Sequence, residues 1–116
     1  VVSVKVGEEY VAPSAEGAAK ALAVSTPAEN ATDTMMSIDV DRTTTEAGAY
    51  PVLLASYLIA CQTYDDANEA ALVNGFLSYI VSDAGQQVAA EQAGAAPLDA
   101  SLAEQAQKIV GSISAS

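Results

Sequence analysis

The sequence has no histidine and no tryptophan, one cysteine, one phenylalanine and only four basic residues. Each scarcity removes a class of function. Without histidine, the commonest general base and metal ligand near neutral pH is missing. None of the serines stands in a G-x-S-x-G elbow, so no nucleophile–base pair can be drawn and no enzyme is expected. Gly85 and Gly94 belong to no phosphate-cradling loop. Cys61 is alone, which leaves no internal disulfide and no cysteine metal site. In a secreted protein it would be either a buried thiol or the partner of a cysteine outside this chain. Lys5, Lys20, Arg42 and Lys108 cannot assemble a phosphate-neutralising patch, so neither nucleic acid nor anionic lipid is an expected partner.

What the chain has in excess is acid and alanine. Fifteen acidic residues give a net charge of −11, the signature of a soluble, self-repelling surface. A length of 116 residues suits one domain. Half the residues are hydrophobic, but many are alanine and only 5% are aromatic. The core should therefore be built of small side chains, with Phe76 and five tyrosines as the few large pieces. The densest apolar run is Tyr50 to Cys61, which does not alternate cleanly with polar residues. That pattern predicts an interior strand of an α/β sheet, covered on both faces, with Pro51 at its entry because proline has no N–H for a ladder. Its apolar part is far short of the ~20 residues a membrane-spanning helix needs.

Around this run the expected order is hairpin, helix, loop, strand and three helices. Val2, Val4 and Val6 alternate with Ser3 and Lys5, Gly7-Glu8 suits a type II′ turn, and Glu9 to Val11 returns. Val1 already lies inside this strand pattern, so the chain is expected to be cut from something longer. Ser14 is a helix N-cap with Glu16 in the first turn, and the helix ends before Pro27. Residues 27–49 are expected to be loop, with Met35 to Ile38 as a short strand or connector. Asp65-Asp66 opens a helix to Val81, with Val73, Phe76, Leu77, Ile80 and Val81 on one apolar face. Ser82 caps a second helix that stops at Gly94, Asp99 caps a third, and the tail from Ser112 should be frayed. The chain thus divides into hairpin and helix (1–26), loop (27–49), central strand (50–64) and helical cover (65–116).

Few residues invite a chemical role. Asp39 and Asp41 could suggest a cation site, but the glycine and terminal glutamate of a calcium loop are missing. Glu8-Glu9 and Asp65-Asp66 are adjacent carboxylates expected to be solvated or capping. Tyr57 and Tyr64 are expected in the core or at a strand end. Asn30-Ala31-Thr32 matches a glycosylation sequon that short triplets meet by chance.

The order of segments carries a family resemblance. Val4 to Glu16 resembles the G-x-Y-V-x-P-S-x-E hairpin and helix in the last third of phosphate-binding proteins of ABC transporters, with one extra residue between Gly7 and Tyr10. Ala49-Tyr50-Pro51-Val52, followed by Tyr57 and Ile59, is similar to that family's A-Y-P-I/V…Y-x-I strand. Phe76-Leu77-Ser78-Tyr79 with Ser82, Gly85 and Gln86 resembles its F-L-x-Y…S-x-x-G-Q helix pair. Gly94-Ala95-Ala96-Pro97-Leu98 resembles its G-Y-x-P-L connector, with Ala95 in place of the tyrosine. The resemblance implies an α/β chain that is the C-terminal portion of a two-lobed periplasmic-binding-protein-like fold. It implies an extracytoplasmic protein that binds inorganic phosphate and delivers it to the membrane permease of an ABC importer. The family's anion-binding loops lie upstream of the hairpin, so this chain is expected to carry no catalytic, ligand-binding or metal residue and no cofactor. Arg42 and Asp41 match none of those loops. The N-terminal portion of the same protein is then the implied partner. A self-contained structural or interaction domain, or a binder of another oxyanion, stands as the alternative.

Overall fold

The computed structural model describes residues 1–116, and four capped helices account for most of its order. The chain is mixed α/β, with three separate two-stranded sheets. Each helix starts on a side chain that accepts orphan amides of the first turn. Ser14 caps α1 (Ala15–Ala23), Asp66 caps α2 (Ala67–Ile80), Ser82 caps α3 (Asp83–Ala93) and Asp99 caps α4 (Ala100–Gly111). Gly94 ends α3 at φ 64°, the left-handed position that glycine fills without Cβ strain.

The first 50 residues form one packed unit. Strands β1 (Val4–Val6) and β2 (Glu9–Val11) pair antiparallel with Val6 opposite Glu9. Gly7 has φ 59° and no other residue in the turn has positive φ, the pattern of a type II′ turn. Behind the hairpin, the Tyr50 amide donates to the Gly17 carbonyl at 2.8 Å, and Ala49 and Ala21 are fully buried. A Cβ on Gly17 would lie 3.0 Å from the Tyr50 Cβ and 3.1 Å from the Gly48 carbonyl. Glycine is what lets residues 48–50 lie against α1.

Residues 27–49, expected to be loop, contain a hairpin-like excursion. Strands β3 (Thr26–Pro27) and β4 (Ile38–Asp39) pair antiparallel, and a bridge joins Thr32 to Met35 at the tip. Pro27 cannot donate to the ladder, which keeps the pair short.

The second unit is a helical bundle closed by its own tail. Leu77, Val81 and Val110 form its core, with Val73, Ala106 and Ile113 against them. Neither α2 nor α4 relies on a flexible cation alone to satisfy its last carbonyls. Asn74 of α2 donates to the Val110 carbonyl of α4 at 2.9 Å, and Gln107 of α4 donates to the Val81 carbonyl at 3.4 Å. The expected frayed tail is instead ordered: β6 (Ser114–Ala115) runs parallel to β5 (Thr63–Tyr64). The Gln62 amide adds bonds to the Ser112 carbonyl and hydroxyl. Two backbone bonds and this clamp overcome the fraying that an isolated end would show.

The Ser82-x-x-Gly85-Gln86 motif is the corner between α2 and α3. Ser82 Oγ accepts from the Gly85 amide at 3.2 Å and donates to the Tyr79 carbonyl at 2.6 Å. A Cβ on Gly85 would overlap the Tyr79 carbonyl oxygen, so only glycine allows the helices to meet here. Gln86 donates to the Ile80 carbonyl at 2.9 Å and accepts from the Leu98 amide at 3.0 Å. One side chain thus fixes both the end of α2 and the 94–98 connector.

The largest correction concerns the central strand. Residues 51–61 form no sheet: they make no backbone–backbone hydrogen bond. Only Thr63–Tyr64 of the expected 50–64 strand enters a ladder. Burial alternates from Pro51 to Ser56, as in an extended chain, and then the whole of 56–61 is exposed. Leu54 is 89% exposed and Ile59 96%. The physical reason is that no other strand of this chain lies beside the run to complete a ladder or cover its second face.

Substitution at the α2–α3 corner tests this packing. Gly85→Ala should lower stability by about 1–3 kcal/mol through forced displacement of the Tyr79 carbonyl. Gln86→Leu should cost about 1–3 kcal/mol by stranding the Ile80 carbonyl and the Leu98 amide. Urea unfolding followed by circular dichroism at 222 nm measures both. Unchanged midpoints would contradict the assignment of this corner.

Candidate functional site

No cluster of three acidic, histidine or cysteine side chains is placed to hold a metal ion. The residues that sequence alone singles out are scattered, and two of the carboxylates, Asp41 and Asp66, are engaged in local turns and caps. Asp41 Oδ1 accepts from the Thr43 amide at 2.9 Å and its hydroxyl at 2.8 Å, closing a local turn. Asp39 is in β4 and Glu8 and Glu9 are exposed on the first hairpin. Asp66 is spent on the amides of Asn68 and Glu69. Thr32 of the Asn30-Ala31-Thr32 triplet accepts from the Thr34 amide at 3.4 Å, within its own turn.

Both tyrosines act as straps along the unpaired run. Tyr57 Oη accepts from the Ile38 amide at 3.0 Å, tying the run to β4, and Tyr64 Oη accepts from the Cys61 amide at 3.1 Å. Tyr57 is about half exposed and in no strand, so it is neither the core nor the strand-end residue expected, whereas Tyr64 does stand at the end of β5. Cys61 is a free, exposed thiol, which removes the buried-thiol alternative for this chain. Arg42 donates to the Pro51 carbonyl at 2.9 Å and to the Leu53 carbonyl at 3.3 and 3.4 Å. Its charge therefore serves backbone carbonyls, and no anion pocket forms around it.

What the structure does bring together is apolar. Leu58, Ile59 and Ala60 of the run face Leu72 and Phe76 of α2 across an open groove of about 480 Å³ whose lining is wholly hydrophobic. Phe76 is 62% exposed there, whereas sequence periodicity places it with Leu77 on the single buried face. Val73 and Leu77 do face α4, and Leu72, Phe76 and Tyr79 form a second, uncovered apolar face. A sequence signal for this exists. Between Glu69 and Asp83 there is no charged residue, so no charge marks a solvent face on this part of the helix.

The exposure is quantitative as well as local. The accessible surface is 7645 Å², against about 5,900 Å² for a compact monomer of this mass. The radius of gyration is 16.0 Å, against about 13 Å for a compact chain of this length. There are 57 backbone–backbone hydrogen bonds, where about 80 are usual for such a chain. Only ten residues are buried, and no large side chain is fully so. The common cause is the apolar run and the outer face of α2, which nothing in the chain covers.

No family model, characterised protein or solved structure matches the chain. The candidate site is therefore the apolar surface itself, read from its own geometry.

The two faces of α2 should respond oppositely to substitution. Leu77→Ala in the core should cost about 2–4 kcal/mol. Phe76→Lys on the outer face should change unfolding stability by less than about 0.5 kcal/mol and lower the fluorescence of a bound anilinonaphthalene dye. A stability loss at Phe76 as large as that at Leu77 would show that the outer face is covered within the chain.

Proposed function

We propose that this chain is the C-terminal portion of an extracytoplasmic solute-binding protein of the phosphate-binding type, with a two-lobed periplasmic-binding-protein-like fold. Its role is scaffold: a hairpin and helix, an extended crossing and a helical cover, on which an upstream portion builds the anion site. The assembled protein would bind inorganic phosphate and hand it to the membrane permease of an ABC importer.

The observation that carries this reading is the unpaired apolar run from Pro51 to Cys61, exposed throughout from Ser56 onward. A chain that exposes Leu54 and Ile59 almost completely asks for a larger sheet around it. The Ser82-x-x-Gly85-Gln86 corner supports the reading further, since each residue of that motif has a defined packing task between α2, α3 and the 94–98 connector. A desolvated oxyanion needs several neutral donors and a cation converging on it, and Arg42 is engaged elsewhere. Net negative charge does not disfavour an anion site in the assembled protein, because fixed local dipoles outweigh distant screened charge.

The alternative of a self-contained domain is disfavoured by the surface excess. Isothermal titration of the 116-residue chain with inorganic phosphate separates the possibilities. The scaffold reading expects no measurable heat of binding. Tight binding at one phosphate per chain would overturn it, and the same result with sulfate would point to another oxyanion binder.

A further inference from the structure

The unpaired run has two edges, and the structure treats them differently. In an extended chain, alternate residues direct their N–H and C=O to opposite edges. Arg42 sits on the edge carrying residues 51 and 53, bonded to both carbonyls. Pro51 has no N–H to offer there. That edge is stoppered at its start. The opposite edge carries the N–H and C=O groups of Val52, Leu54 and Ser56, and none of them has a hydrogen-bond partner in the protein. Beside it the chain continues into Leu58 to Ala60 and the groove against Leu72 and Phe76.

We propose that this open edge takes up one β-strand from a different polypeptide segment, apolar at alternate positions and carrying lysine or arginine where it ends beside Asp65 and Asp66. An extended occupant is required, because a helix would cover the apolar side chains but leave the row of amides and carbonyls unpaired. The charge pattern selects one of its ends. Residues 47–64 carry no charge; Asp65, Asp66 and Glu69 stand beyond the far end of the run, whereas at its start the Arg42 guanidinium lies on the Pro51 and Leu53 carbonyls and offsets Glu46. A second copy of this chain would bring a net charge of −11 against the same charge, whereas basic residues at the far end complement it. The surface excess, 7645 Å² against about 5,900 Å², is more than the ~800 Å² that one side of a standard interface contributes. This inference holds whichever anion the assembled protein carries.

The test uses the full chain and a labelled synthetic peptide of alternating valine and threonine with two lysines at each end, read by fluorescence anisotropy. Leu54→Pro removes an N–H from the open edge and should weaken binding about tenfold or more, the effect of losing a ladder bond and its neighbours. Leu53→Pro removes an N–H from the stoppered edge and should change affinity by less than about twofold. Helix content by circular dichroism checks that both variants keep their fold. A peptide with glutamate ends, tested on the unaltered chain, should bind about tenfold more weakly at low salt and less so at high salt. Absence of binding at millimolar peptide, equal loss from both prolines, or preference for the glutamate ends would overturn the proposal. So would a dimer of the chain alone whose formation protects the amides of residues 52–56.

Discussion

Backbone amides and carbonyls taken out of water must find partners, and the run from Pro51 to Cys61 finds none among the backbone groups of this chain. That deficit shapes everything around it. With no ladder to hold them, residues 51–61 are strapped by side chains: Arg42 on the carbonyls of Pro51 and Leu53, and Tyr57 under the Ile38 amide. The run joins a hairpin-and-helix unit to a helical bundle, and the molecule extends over 54 Å along its longest axis. A paired central strand would draw the two units together. An unpaired one leaves them strung out, with apolar side chains facing water on both sides of the connection.

The bundle, in contrast, is locally complete. Asn74 and Gln107 exchange their amides between the ends of α2 and α4, Gln86 serves the end of α2 and the 94–98 connector, and the tail pairs with Thr63–Tyr64. These are neutral hydrogen bonds, each worth about 1 kcal/mol net, and they suit a chain whose charge is almost all of one sign. Repulsion within a surface of net charge −11 would weaken any design that depended on ion pairs. Neutral amide clamps and small glycine contacts are insensitive to it.

Much of this was legible in the sequence because it is local. Ser14, Asp66, Ser82 and Asp99 are caps by residue type and position, and all four accept first-turn amides. Gly7 and Gly94 take the positive φ their turns require. The features that were not legible depend on distant partners. Ser114–Ala115 pairs with Thr63–Tyr64, 51 residues earlier, so a tail that reads as frayed is ordered. Thr26–Pro27 and Ile38–Asp39 are too short for periodicity to reveal. Phe76 was assigned to the wrong face because helical spacing cannot choose between two apolar faces when no charge marks the solvent side. The run at 51–61 shows the same limit. Its composition predicts an interior strand, but composition cannot say whether a strand to pair with it is in the same chain, and in this structure residues 51–61 pair with none.

The central claim is that the apolar run is built for a sheet this chain does not itself contain. Amide hydrogen exchange on the monomeric chain, resolved by residue, tests it most directly. The amides of Val52 to Ala60 should exchange at close to the rate of an unfolded chain, while those of Leu77 and Val81, in the core and end of α2, are protected by the stability of the bundle. Protection of Val52 to Ala60 matching that of α2 in the monomer would mean that the chain completes its own sheet, and would contradict the account.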